Sequence, residues 1–433
     1  MWFERKRQVV AVLSALALTS GFGAPVAAAQ SSGPSPFGSA ADLTHQSSVK
    51  TGESMRPVAQ RTKPIYRSDL PEVGPSSRVG EVLAKVPLDP RAGLDNAGEQ
   101  VRFAYTTVDQ HGQPAVSTGA MYMPKGQKPA GGWPVIAWAH GTVGLGDECA
   151  PSINPQVGND ARYLNKWLDE GYAIVATDYV GLDSPGLHSY LNGKVSAANV
   201  VDSVAAAHEM FGGELSKKWA VVGQSQGGGV ALHVARRATP LSEKLGLDYR
   251  GAVATGAPAY IEEIVIAAGP TFPPMPLPGG LSVFGLYILA AVQEAHPEID
   301  MDAALSDEGR FMLAEAKKSC FHEVRDGVQG VNLARAFTKP LRSVPGLDKA
   351  IREFMATPTS GYDKPVFVGH GLKDMDVPSP IGMLLNTEMW FNQFFGMPRN
   401  TRVDVKWYLS DHGTTPNVAF PDSSAFLAEI FRD

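Results

Sequence analysis

In the stretch AVVGQSQGGGVALHVA, residues 220–235, a serine stands between glycines where an apolar run gives way to a helical pattern. A strand, a sharp turn and a helix around Gly223-Gln224-Ser225-Gln226-Gly227 make a nucleophile elbow. Such a turn lifts the Ser225 hydroxyl above the carboxyl edge of a sheet, where a base and a substrate carbonyl can both reach it. The flanking glycines let strand and helix approach with no Cβ between them, and the helix start aims amide dipoles at developing negative charge. The competing reading is a glycine-rich turn with a bystander serine. Partners decide between the two.

An elbow serine needs an orienting acid and a base, in the chain order Ser, Asp or Glu, His. GHGLKDMDVP puts Asp374 on the loop leaving a buried strand, with Asp376 as its competitor two residues later. Asp374 comes sooner off the strand and is preferred. YLSDHGTTPN puts His412 after the last predicted strand and before the last helix, a position that no other of the ten histidines shares. His370 precedes the acid and reads as structural; His208 and His233 fall within helical patterns. One oxyanion donor is expected from the backbone N–H of Gln226. The other is expected from Thr142, in the glycine loop after the strand ending His140-Gly141.

The elements that must carry these residues are legible as alternation. Residues 101–109 and 115–124 read as a hairpin, and strand-like runs follow at 134–141, 172–181, 219–224, 249–258, 364–371 and 402–410. Helical patterns lie between or after them at 161–171, 197–211, 228–238, 379–395 and 423–431. Buried strands alternating with amphipathic helices predict an α/β fold, a mostly parallel sheet with helices on both faces. The alternation breaks after about 257, where Pro-rich joints and helical patterns predict an inserted helical cap over about 257–345. Within it, LSVFGLYILAAV (281–292) is apolar almost all round yet too short to span a bilayer. Its side chains are either cap core or the wall of an acyl pocket. Phe284 and Leu286 are the candidates for substrate contact.

Upstream, MWFERKR, an apolar run and PVAAAQ read as a signal peptide over 1–29, cleaved near Ala29, so export to the extracellular space or cell envelope is expected. Residues 30–63, rich in Ser, Gly, Pro and Gln, read as a disordered leader to a folded domain over 64–433. Cleavage removes three basic residues and one acidic one, moving the formal charge from −6 to −8. So acidic a chain has no electrostatic footprint for nucleic acid. Cys149 and Cys320 are the two cysteines. In an exported protein they are expected to pair as a disulfide joining the loop after the oxyanion strand to the cap, rather than to hold a metal or act as a thiol catalyst.

HGT and CAPS within 140–152, TDYVGLD (177–183), GQSQGGG (223–229), GLKDMDVP (371–378) and DHG (411–413) together resemble the secretory lipase family of the α/β-hydrolase superfamily. The resemblance runs over about 64–433, with the motifs in family order. It implies an α/β-hydrolase fold, a Ser225–Asp374–His412 triad, and hydrolysis of acylglycerols or other carboxylic esters without cofactor or metal. The implied partner is a small-molecule or lipid ester, with transient contact at a lipid interface. Gln224 departs from the pattern, because relatives usually carry an aromatic before the serine, and it is therefore a candidate substrate contact. An acyltransferase would use the same triad with an alcohol as acceptor. A non-catalytic lipid- or partner-binding module is expected to lack a triad member, and none is missing.

Overall fold

Strands β1 (Val82–Pro87), β2 (Ala97–Val108), β3 (Pro114–Pro124), β4 (Trp133–Ala139), β5 (Ala173–Thr177), β6 (Leu215–Gln224), β7 (Asp248–Thr255), β8 (Val366–Gly371) and β9 (Val403–Tyr408) make one sheet. Its order is β1-β2-β3-β5-β4-β6-β7-β8-β9. The computed structural model describes residues 54–58, 65–395, 397–398 and 401–432, so the expected signal peptide over 1–29 lies outside the described residues. Pairings from β1 through β3 to β5 are antiparallel, and all those from β5 to β9 are parallel. The β2–β3 hairpin turns where the Asp109 carboxylate accepts from the His111 and Gln113 amides and Gly112 takes a φ of 73°.

Helices α1 (Gly158–Asp169), α2 (Gly193–Phe211) and α3 (Gln226–Lys244) follow β4, β5 and β6, and sit on the two faces of the sheet. Strand alternation feeds both faces. Val135 and Ala137 of β4 pack with Val200 and Val204 of α2 and Val230 and Val234 of α3. Ile136 and Trp138 of the same strand point the other way, onto Leu164 and Trp167 of α1. Two further helices complete the layers, α9 (Ser379–Asn392) between β8 and β9 and α10 (Thr415–Arg432) after β9. The strand β1, at one edge of the sheet, is an element that residue patterning does not predict. VLAKVP is only partly buried and has no clean alternation.

The helical insertion runs between β7 and β8, carrying α4 (Ile261–Ala267), α5 (Gly279–Ala295), α6 (Asp307–Lys318), α7 (Phe321–Val328) and α8 (Leu347–Met355). It has its own apolar core, in which Val283, Leu286 and Ile288 of α5 meet Met312, Val324 and Ile351. That is why α5 is apolar all round: neighbouring helices cover nearly every face. Among the described residues no helix is long and apolar enough to cross a membrane. The expected leader, 30–63, is corrected over its described part, 54–58. Met55 is buried in the cap core, and the Arg56 amide donates to the Gly327 carbonyl at 3.1 Å. One apolar side chain and backbone pairing fix a segment whose composition reads as disordered.

Cys149 and Cys320 form a disulfide across 171 residues, their Cα atoms 5.4 Å apart. It joins the loop after β4 to the residue preceding α7, where Phe321 N also donates to Val143 O at 2.8 Å. A crosslink closing so long a loop is worth about 3–5 kcal/mol through the unfolded chain. Alkylation without reductant should find no free thiol, and the C149S/C320S double variant should melt several degrees lower. Unchanged melting would mean that the crosslink does not hold the cap to the sheet.

Candidate active site

Ser225 holds φ 58° and ψ −123° between the end of β6 and the start of α3. Such a backbone costs a non-glycine residue about 1–3 kcal/mol and persists only where its surroundings enforce it. Here Ser225 N donates to Thr255 O at 2.9 Å and Gly229 N donates back to Ser225 O at 3.1 Å. The two elbow glycines are required sterically. A Cβ at Gly223 would stand 2.0 Å from Gly227 O, and one at Gly227 only 1.8 Å from Ala139 O. The turn exists because neither position carries a side chain.

Asp374 leaves the carboxyl end of β8 in a tight loop. Its Oδ1 accepts from the backbone N–H groups of Asp376 and Val377 at 3.0 and 2.8 Å. Its Oδ2 accepts from His412 Nδ1–H at 2.6 Å. These bonds fix the carboxylate and leave the imidazole's Nε2 as the free nitrogen. His412 Nε2 is buried and has no hydrogen-bond partner among the described residues. Burial alone would lower the imidazole's pKa. The hydrogen bond and charge of Asp374, with the charges of Asp376 and Asp411, outweigh it and raise the pKa above the ordinary 6.5. Asp376, the competing carboxylate, makes no such bond to the ring. His370 sits beneath the acid, donating from Nε2 to Val377 O at 3.1 Å, and so braces the loop.

The turn after β4 closes against the elbow: a Cβ on Gly141 would lie 3.5 Å from Ser225 Cβ. Thr142 lines the same cavity as Ser225 and His412, its hydroxyl 2.8 Å from that of Tyr190. Gln226 begins α3 directly after the serine, and its side-chain amide donates to His188 Nε2 at 2.8 Å. Burial, with the neighbouring His140, pushes His188 down to about 3, so its ring is neutral and can accept that bond. His188 and Tyr190 brace the two expected oxyanion residues. Sequence reading passes over both, because LHSYLN has no periodicity and no motif to mark it.

Ser225, His412, Thr142 and Gln224 open onto one cavity of about 1400 Å³ between the sheet edge and the cap. Gln224 donates from Nε2 to His412 O at 3.3 Å, so it braces the His412 loop as well as lining the cavity. From the cap, Phe284 and Phe321 line the cavity as a stacked pair 5.5 Å apart. The expectation for Leu286 is corrected: it is fully buried in the cap core and does not line the cavity. Residues two apart on a helix point about 200° away from each other, so α5 cannot present both to one ligand. Among the described residues no group of three or more His, Cys, Asp or Glu side chains is placed to hold a metal ion.

A family model described as secretory lipase matches residues 150–360, a segment holding the elbow and the cap and ending before Asp374 and His412. Among solved structures, lipase A of Candida antarctica in its closed state is similar at a TM-score of 0.66 and 18% identity, covering 83% of this chain and 85% of that one. Another structure of that lipase gives a TM-score of 0.63 at 18% identity, covering 78% and 80%. The rice cell wall degrading esterase LipA of Xanthomonas oryzae gives 0.60 at 18% identity, covering 81% of this chain and 96% of its own. No curated protein matches in sequence. The structural neighbours fix the α/β-hydrolase fold, and the segment over residues 150–360 is similar to the secretory lipase family.

Proposed function

We propose that the protein is a secreted lipase or carboxylesterase that works through an acyl-enzyme on Ser225. One observation carries the reading: a strained elbow serine shares a cavity with a histidine whose Nδ1 is tied to a buried aspartate and whose Nε2 is free. Ser225 Oγ attacks the ester carbonyl as His412 Nε2 takes its proton, and Asp374 holds the tautomer and steadies the imidazolium. The amides of Gln226 and Thr142 hold the oxyanion, each worth about 2.7–4 kcal/mol. The intermediate collapses, and the departing alkoxide takes the proton from Nε2. Water then attacks the acyl-enzyme, gives a proton to Nε2, and the acid leaves as Ser225 regains it. Export agrees with the Cys149–Cys320 disulfide.

His412 must be neutral to act as base, so kcat/KM should rise with pH through its pKa. Since that pKa is raised, the acid limb should have its midpoint above 6.5. D376N removes one of the charges that favours the imidazolium and should shift the midpoint down. A midpoint below 6.5, or an upward shift in D376N, would contradict this electrostatic account.

Rates on p-nitrophenyl esters from acetate to palmitate, with product analysis in glycerol-containing buffer, test the reaction itself. Free acid as the main product supports hydrolysis; glycerol ester as the main product would support acyl transfer. In the same series Phe284→Ala should change the long-to-short-chain ratio, by at most about 1–3 kcal/mol. Leu286→Ala should cost about 2–5 kcal/mol of stability and leave the ratio alone. Equal, ratio-free losses for both variants would mean that α5 is core throughout.

A further inference from the structure

Asp160 is the third residue of α1, and its exposed side chain opens onto the same cavity as Ser225 and His412. The first turn of α1 is pinned beside the base. Asn417 Nδ2 donates to Asn159 O at 2.9 Å, and a Cβ on Gly413 would lie 3.3 Å from Asn159 Nδ2. The Asp160 carboxyl feels the charge of His412, which favours its ionised form.

Its neighbours are differently placed. Asp374 accepts three hydrogen bonds, and Asp178, which also lines the cavity, accepts from Thr118 Oγ1, Ser152 N and Ser152 Oγ. Asp376 feels the positive charge of Arg325 from the cap. Asp160 accepts no hydrogen bond from the protein and pairs with no Lys or Arg among the described residues. Its carboxylate is therefore left to water or to whatever fills the cavity.

The direction of catalysis says which part of an ester meets it. His412 Nε2 hands its proton to the leaving oxygen, so the leaving alcohol lies against the base, whereas the oxyanion donors sit at the elbow. The wall beside His412 is the alcohol's wall. A plain hydrocarbon alcohol there would strip water from a carboxylate and return no bond, which is costly for so strongly hydrated a group. An alcohol with a second hydroxyl or a cationic nitrogen restores what is lost. Resting on the hydrolase reading, we propose that Asp160 is a specificity-determining residue selecting esters whose alcohol carries a further hydroxyl or a positive nitrogen, as in a polyol or an amino alcohol.

Three butyrates of one acid, n-propyl butyrate, glycerol monobutyrate and butyrylcholine, test this by pH-stat with the full chain. The common acyl group cancels effects on the acyl pocket and on the basicity of His412. Wild type should favour at least one of the two polar esters over propyl butyrate by about tenfold or more in kcat/KM. D160L should bring that ratio down about tenfold, towards one. D160N keeps an acceptor without the charge, so it should retain most of a hydroxyl preference and lose a cation preference. Being isosteric, it also carries the test should D160L fail to fold. No preference in wild type, or ratios in both variants within twofold of wild type, would overturn the inference while leaving ester hydrolysis standing. Failure to cleave any ester, including p-nitrophenyl acetate, would overturn the hydrolase reading and this inference together.

Discussion

Ser225→Ala should abolish ester hydrolysis, lowering kcat by about five to six orders of magnitude. Melting temperature should stay within a few degrees of wild type. The asymmetry follows from the elbow. Backbone bonds from Ser225 to Thr255 and Gly229, with the bare glycines 223 and 227, hold the turn, so the hydroxyl contributes little to folding. The hydroxyl nonetheless is the proposed atom to which the acyl group bonds. Alanine at 225 accepts the same strained backbone no worse than serine does. His412→Ala should be nearly as severe, because the members of a triad act as a unit. Circular dichroism and thermal melting alongside the rate assay check both halves. Retained hydrolysis above background in S225A would remove the nucleophile assignment.

The second large effect separates two carboxylates that stand two residues apart. Asp374→Asn should cost about four orders of magnitude in kcat, since an amide facing Nδ1 favours the wrong tautomer and no longer steadies the imidazolium. Asp376→Asn should stay within about tenfold of wild type. Only Asp374 bonds the imidazole, at 2.6 Å, and only its Oδ1 is held by the amides of the loop. Asp376 acts on His412 at a distance, through its charge. The reverse order of losses would mean that the loop rearranges on substrate binding and presents the other acid.

Much of this was legible because strong local rules coincided. The elbow announces itself through glycines that sterics demand, and β4, β6, β7 and β8 are apolar runs covered on both faces. Position in the alternation isolates His412 from the other histidines. The misses have particular causes. The edge strand β1 is half exposed, so neither alternation nor a continuous apolar run marks it. Met55 reads as leader because a single anchoring side chain does not change the composition around it, and its partners lie some 270 residues further on, in α7. Leu286 and Phe284 look alike in a helix that is apolar all round. Only the placement of the neighbouring helices decides which of them faces the cavity. His188 and Tyr190 lie in a loop and Asp160 at a helix start, where no period exists to be read.

Covalent capture identifies the nucleophile directly. A p-nitrophenyl alkylphosphonate mimics the tetrahedral intermediate and transfers its phosphonyl group to an activated serine, releasing nitrophenolate. One equivalent of nitrophenolate should be released per chain, hydrolysis should be lost in step with its release, and the phosphonyl adduct should sit on the peptide carrying Ser225. H412A should label far more slowly. Undiminished activity after exposure, or stoichiometric labelling at any residue other than Ser225, would contradict the account.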